Sequence, residues 1–479
     1  MSATSAARPW LALVIAFCLL LALLAEAPHL ADDPWEDEAA TLLRFGSHPP
    51  LEAFREYRLP NNHMLFSAAL AAWWSRGDSV LHARLLPAGV WLVSMALMIS
   101  VGRRSFGWPA TALGLALWSG AALTAAFAVA LRGYAFAWPC VLVMLACAPA
   151  WVARGAWRAG VGFILAAAVS LLVLPTNVMA VAACLLWALL GARPPRALPP
   201  LAAWGRAALA GGVAALALLV YLPHRAQIAA FVAHGFSQWS TAQVMAGWTL
   251  ASTGQFWPLA PLLLWGAWRA RQDEVARRAL ELLCALASVA ALVVALSPTP
   301  LVPRALVPLL PAWCLALGGL LYAAVRGALE RWSLATGPLL AVLALLCFAC
   351  GRVLPPCAGL ERGLPPGDHV CRQYYREGYH PVAMLSAIAE RFPAVPVLMA
   401  PRESFALAFA RWNSGERRAR LLDANQWQRH YPDRLPTLVV AASPEAARAI
   451  LAKLVSGPPR DLERVLDGGG IALFAPRWP

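Results

Sequence analysis

The sequence predicts a mainly α, polytopic bundle of transmembrane helices that ends in a small α/β domain outside the membrane. Three observations carry this prediction. Hydrophobic residues make up 60% of the 479-residue chain and charged residues 13%, far from the balance of a soluble domain. Apolar runs such as "ARLLPAGVWLVSMALMISVG" (83–102) and "ALVPLLPAWCLALGGLLYAAV" (305–325) reach the roughly 20 residues that a helix needs to cross a bilayer. Finally, arginines such as Arg103, Arg104, Arg154, Arg158, Arg269, Arg271, Arg326 and Arg331 fall in short gaps between the runs. Every second gap carries them, as the positive-inside rule requires. The net charge of +14 therefore reads as a topology signal, and no nucleic-acid partner is expected.

In chain order, the first run "WLALVIAFCLLLALLAEA" follows Arg8 and could be taken for a signal peptide. No well-formed small-residue cleavage site with a soluble mature domain follows it, so a retained helix is expected. Placing the arginine gaps in the cytoplasm gives about eleven spans, near 9–26, 83–102, 108–126, 131–151, 160–174, 176–191, 204–222, 256–268, 279–297, 303–325 and 333–351. An odd count leaves the N-terminus inside and the C-terminus outside. Residues 1–351 then form the membrane domain, with long outer segments at 27–82 and 223–255, and 352–479 form the outer domain. In the outer domain "VPVLMA" (395–400), "TLVVAA" (437–442) and "GGIALFAP" read as short buried strands. "SPEAARAILAKLV" (443–455) reads as a helix with Ser443 as N-cap and Pro444 in the first turn. Eight of the ten cysteines lie in apolar runs as small core residues, whereas Cys357 and Cys371 lie just past the last span. On the outer side a disulfide joining them is expected. No zinc-ligand spacing, Walker loop or G-x-G-x-x-G is present, which removes any sequence support for a fused ATPase.

The outer segment 27–82 opens with "DDPWEDEAATLLRFG", five carboxylates (Asp32, Asp33, Glu36, Asp37 and Glu38) in seven positions of a basic chain. A solvated acidic loop is the simple reading. "EAATLLRFG", however, has helical character and would hold Asp37 and Glu38 in an ordered first turn at the interface, where acid suggests chemistry or cation binding. "YRLPNNHMLFSAALAAWW" (57–74) follows, with Arg58, Asn62 and His63 ahead of an apolar stretch too short to span, which is expected to lie along the interface. His63 is either a polar cap or a substrate contact. "LRGYAFAWP" places Arg132 and Tyr134, and "SPTPLVPRALVPLLP" places Arg304, at the outer mouths of two spans. Lone outer arginines run against the topology trend and need an anionic partner, either a lipid phosphate or the carboxylates of the first loop. His224 and Arg225 in "YLPHRAQ" open the second outer segment, as phosphate contacts or as ordinary loop residues.

These motifs resemble those of the GT-C class of integral-membrane glycosyltransferases. The likeness is to the PMT-like family 39 group, which holds bacterial relatives of protein O-mannosyltransferases and of the aminoarabinose transferase that modifies lipid A. "WEDEAAT" is similar to the family's Asp-Glu motif, "LRGYAF" to its Arg-x-Tyr start of a central span, and "PRALVPLLPAW" to its late Arg-x-x-x-P-x-x-P signature. "NNHML" departs from the family's His-Pro-Pro-Leu run. The resemblance implies a GT-C-like fold and an enzyme that moves a sugar from a polyprenyl-phosphate carrier to an acceptor hydroxyl on a lipid, glycan or protein, at the outer face of a bacterial inner membrane. Asp37 is then the expected general base and Glu38 its catalytic neighbour, orienting the acceptor or a cation. Arg304 and Arg132, and further out Arg225 and His224, are the expected donor-phosphate contacts. His63, Asn62, Tyr134 and Arg58 are the expected substrate contacts. No cofactor is required by this chemistry, although Mg²⁺ or Mn²⁺ on Asp37 and Glu38 stays open. Two other classes also stay open: a lipid or glycan transporter or flippase, and a non-catalytic envelope assembly protein.

Overall fold

A computed structural model describes residues 8–34, 36–55, 63–77, 79–192, 200–233, 240–297, 301, 303–331, 336–353, 381–393, 395–400, 407–408, 410, 420–431, 435–441, 443–454, 459–467 and 471–477. Its helices are α1 (Arg8–Glu26), α2 (Glu36–Thr41), α3 (Met64–Trp74), α4 (Val80–Ser105), α5 (Trp108–Gly120), α6 (Ala122–Ala128), α7 (Tyr134–Arg154), α8 (Trp157–Val173), α9 (Val178–Ala192), α10 (Leu201–Ala215), α11 (Arg225–Ala233), α12 (Thr241–Thr253), α13 (Ala260–Arg269), α14 (Glu274–Leu296), α15 (Leu310–Arg331), α16 (Thr336–Val353), α17 (Pro381–Arg391), α18 (Ala424–His430) and α19 (Pro444–Leu454). Local signals set several of the ends. Ser79 accepts from the His82 N–H at the start of α4, Asp273 accepts from Ala276 at the start of α14, and Gly155 ends α7 in the left-handed conformation (φ 66°).

The eleven stretches expected as spans are all helical, but the count of eleven full spans is not what the structure displays. Six helical stretches among the described residues are long and apolar enough to cross a membrane, or seven if α5 and α6, bent by 67° at their junction, form one broken span. The difference arises at the bend between α5 and α6 and where helices are short, as in α8 (17 residues) and α13 (10 residues); the 3₁₀ turns at 216–224 and 303–309 lie inside two of the six stretches, 201–229 and 303–331. Ten-residue α13 rises only about 15 Å, half the hydrocarbon thickness. Leu13, Leu24, Leu201, Leu209 and Leu264 point outward and are exposed, which suits lipid contact and would be unusual on a soluble surface.

Arginine-bearing ends meet one another. The Trp151 indole donates to the Arg206 carbonyl, the Arg206 guanidinium to the Val152 carbonyl, and the Trp187 indole to the Arg278 carbonyl. α5 and α15 cross so closely that a Cβ on Gly318 would lie 2.4 Å from the Gly114 nitrogen and 2.5 Å from the Ala110 oxygen. Gly318→Val is therefore expected to force these helices apart at a cost of about 1–3 kcal/mol, seen as a lower melting temperature of the purified protein; melting like the wild type would refute the close crossing.

The α17–α19 unit surrounds a five-stranded sheet of β1 (Pro396–Met399), β2 (Arg420–Leu422), β3 (Val439–Ala441), β4 (Asp461–Asp467) and β5 (Ala472–Arg477), in the order β2-β1-β3-β5-β4. β1 pairs in parallel with β2 and β3, while β5 runs antiparallel to β3 and β4. Val397, Val440 and Leu473 face Leu385 and Ile388 on one side, and Leu398, Val439 and Phe474 face Ile450 and Leu451 on the other. Strands covered on both faces read as unbroken apolar runs, which is why β1, β3 and β5 are legible in the sequence. The charged edge strand β4, "DLERVLD", is not, and nor is three-residue β2. Ser443 caps α19 through the Ala446 N–H. The Asp33 carboxylate accepts from the Val382 N–H at 3.3 Å, tying this unit to the first loop. Cys357, Cys371, Arg58 and Asn62 lie outside the described residues.

Candidate functional site

The acidic stretch folds as the short helix α2, continued by a π-helical turn at Leu42–Gly46. Successive residues of a helix point about 100° apart, so Asp37 and Glu38, adjacent in sequence, serve different neighbours. Asp37 faces the turn before α7 and the 3₁₀ segment before α15. Its Oδ2 lies 3.4 Å from an Arg304 Nη1 and 3.8 Å from an Arg132 Nη2. Two cations thus share one carboxylate oxygen. Arg132 is 2% exposed at its side chain, whereas Asp37 and Arg304 are each 12% exposed and form the more open corner of the cluster.

Packing holds those arginines in place. The indole of buried Trp138 on α7 donates to the Val307 carbonyl at 3.1 Å, fixing the Pro303–Leu309 segment that carries Arg304. Arg132 sits in a tight turn in which its own N–H reaches the Ala130 carbonyl at 2.7 Å. Next to it, a Cβ on Gly133 would come within 2.8 Å of the His63 side chain and 2.9 Å of Val173, so only glycine fits against that ring.

Glu38, expected as the catalytic neighbour of Asp37, lies against a different set of partners. Its Oε2 receives an Arg84 Nη2 at 2.8 Å and its Oε1 the Leu131 N–H at 2.7 Å, with the Glu38 side chain 1% exposed. The helical twist turns Glu38 toward α4. Arg84 also donates to the main-chain carbonyls of His29 and, at 3.5 Å, Asp33. Arg84 was not among the residues expected from sequence. It is a lone arginine in the first turns of apolar α4, at the opposite end from Arg103 and Arg104, a signal like the one that marks Arg132 and Arg304.

His63 and Tyr134 are brought to the site. Their rings meet edge-on at 5.1 Å, and the Arg132 guanidinium lies 6.0 Å from the Tyr134 ring centre. On α3, Met64, Phe66, Leu70 and Trp74 are buried against the first loop and its neighbours. His63, at the head of α3, is buried with neither ring nitrogen hydrogen-bonded among the described residues. Burial, then the positive charges of Arg132 and Arg304, hold its imidazole well below the ordinary value of 6.5, and so neutral, while the Val173 main chain opposes them weakly. Below pH 6.5 the unfolded chain binds a proton that folded His63 refuses. The stability present above that pH is therefore lost as the pH falls toward the folded value, by at most about 1.4 kcal/mol per pH unit. His63→Asn is expected to flatten the fall of melting temperature between pH 7 and 5; an unchanged slope would contradict the buried neutral ring.

His224 is buried and shares a hydrogen bond with the Phe54 carbonyl at 2.9 Å, and Arg225 is exposed. No group of three or more His, Cys, Asp or Glu side chains suited to a metal occurs among the described residues. Guanidinium groups lie against both carboxylates, Arg84 on Glu38 and Arg304 and Arg132 on Asp37. What the cluster can do is hold an anion beside a carboxylate that accepts a proton.

No known protein-family profile matches the sequence, and no curated protein sequence does. Among solved structures, the chain is similar to the crystal structure of ArnT from Cupriavidus metallidurans in the apo state, with a TM-score of 0.55 and 17% identity over 98% of each chain. That likeness establishes an ArnT-like fold for the whole chain.

Proposed function

We propose that the protein is a GT-C glycosyltransferase that moves a sugar from a polyprenyl-phosphate carrier to an acceptor hydroxyl at the outer face of a bacterial inner membrane. The fold shared with ArnT supports the class. The single observation that carries the chemistry is the Asp37 carboxylate shared between Arg304 and Arg132 at one end of an apolar bundle.

In this reading the acceptor oxygen attacks the anomeric carbon, its proton passes to Asp37, and the carbon–oxygen bond to phosphate breaks with the electron pair leaving on the phosphate. Charge balance favours a monophosphate carrier. Before transfer, the charges of Asp37 and of the phosphodiester match those of the two arginines. Afterwards Asp37 is neutral and the released phosphate monoester carries up to about two negative charges, which the same arginines match. A diphosphate carrier would leave an unmatched charge. The carrier's apolar tail would rest in lipid, and the acceptor would be a lipid, glycan or protein hydroxyl. The arginine-rich helix ends then face the cytoplasm with the N-terminus, and the first loop and the sheet unit face the periplasm.

Mass spectrometry of lipid extracts from a deletion strain complemented with the wild type or with Asp37→Asn tests this. Accumulation of a polyprenyl-phosphate sugar in the mutant is expected, and its mass names the donor sugar. Unchanged lipids with full complementation would instead favour the transport or assembly readings.

A further inference from the structure

We infer that Glu38 and Arg84 form a positioning clamp that fixes the Leu131–Gly133 turn and thereby aims Arg132 at the Asp37 carboxylate and at the donor phosphate. The inference rests on the transferase reading above and adds to it the element that sets the geometry of its anion site.

Four observations converge on the clamp. Glu38 bridges two separate parts of the chain, the Arg84 guanidinium 46 positions away and the Leu131 N–H 93 positions away. Arg84 is itself anchored, since it donates to the main-chain carbonyls of His29 and Asp33 and is 4% exposed. The Leu131 side chain is fully buried in a small apolar cluster with Ala39, Leu42, Phe66, Leu70 and Ala83, so both its main chain and its side chain are held by α2, α3 and α4. On the other flank Gly133 is pressed against His63 and Val173. With residues 131 and 133 both pinned, Arg132 between them has little freedom of direction.

A buried ion pair is a poor source of net stability, because desolvation offsets most of its attraction, but it imposes one geometry. The charged hydrogen bond to an amide N–H is strong and directional, and here it grips the backbone one residue before the arginine that matters. Helical twist separates the two roles: Asp37 works at the reacting end, and Glu38 holds the frame from behind.

The sign of one measurement distinguishes positioning from electrostatics. Removing a negative charge near a phosphate site strengthens phosphate binding by Coulomb's law alone. Loss of the clamp weakens it, because Arg132 is no longer aimed. Full-length protein in lipid nanodiscs is titrated with undecaprenyl phosphate, and binding is followed by native mass spectrometry. Glu38→Gln is expected to weaken binding about tenfold, the scale of one charged hydrogen bond. Arg132→Gln should weaken it similarly, and adding Glu38→Gln to Arg132→Gln should change it less than about twofold, because the clamp acts through Arg132. Glu38→Asp, which keeps the charge but is too short to bridge both partners, should behave as Glu38→Gln does and serves if the amide variant fails to fold. Unchanged or tighter binding by Glu38→Gln, or an equal loss in both backgrounds, overturns the positioning role while leaving the transferase reading intact. Failure of the wild type to bind undecaprenyl phosphate overturns that reading, and the clamp's purpose with it.

Discussion

Asp37→Asn is expected to lower the rate of sugar transfer about 10²- to 10⁴-fold, the usual contribution of a positioned general base. The substitution keeps the shape of the side chain and removes its ability to take the acceptor's proton. Donor binding should not weaken, because Arg304 and Arg132, which the carboxylate shares at 3.4 and 3.8 Å, become freer to hold phosphate. The assay uses the sugar lipid that accumulates in the mutant strain, presented to purified wild-type and variant protein in vesicles. A fall in kcat with an unchanged or lower KM for donor is the expected pattern. A variant within tenfold of the wild type would remove Asp37 from the proton-transfer step.

The second large effect is structural and lies at the junction of α1, α5 and α16. The Arg352 guanidinium donates to Glu26 at 2.5 Å and to the Ser119 carbonyl at 3.0 Å, and Glu26 is 2% exposed. Beside the pair the backbones touch: a Cβ on Gly351 would lie 2.4 Å from the Gly120 oxygen. Arg352→Met leaves the Glu26 carboxylate buried without its cation, a change that typically costs about 3–5 kcal/mol. Thermal melting of the purified protein should show a large drop, and Glu26→Gln combined with Arg352→Met should recover most of it. Recovery is the informative part, because it separates an unpaired buried charge from lost packing. If the single variant melts like the wild type, the pair does not hold this junction.

The fold class was legible from composition and charge spacing, since lipid as a solvent demands long apolar helices and topology demands arginine on one side. Asp37, Arg132 and Arg304, which the structure brings together, were also legible one by one. Each breaks a local expectation, either acid gathered in a basic chain or arginine at the wrong end of a span. The number of full spans was harder to read, because hydropathy reports neither the 67° bend between α5 and α6 nor the short length of α8 and α13. The edge strands β2 and β4 escaped for a related reason: one is three residues long and the other carries charge, so neither displays an apolar run.

By itself, then, the sequence determined the membrane character of the chain, the clustering of its arginines between apolar runs and the identity of the acid and cations that stand out from that pattern. Only the tertiary structure decided which of these groups meet. Arg304 stands 267 positions from Asp37, and no local pattern reports a contact at that separation. The structure likewise decided that neighbouring Glu38 turns away to Arg84 and Leu131, since a rotation of about 100° per residue assigns adjacent carboxylates to different neighbours once the surrounding helices are in place.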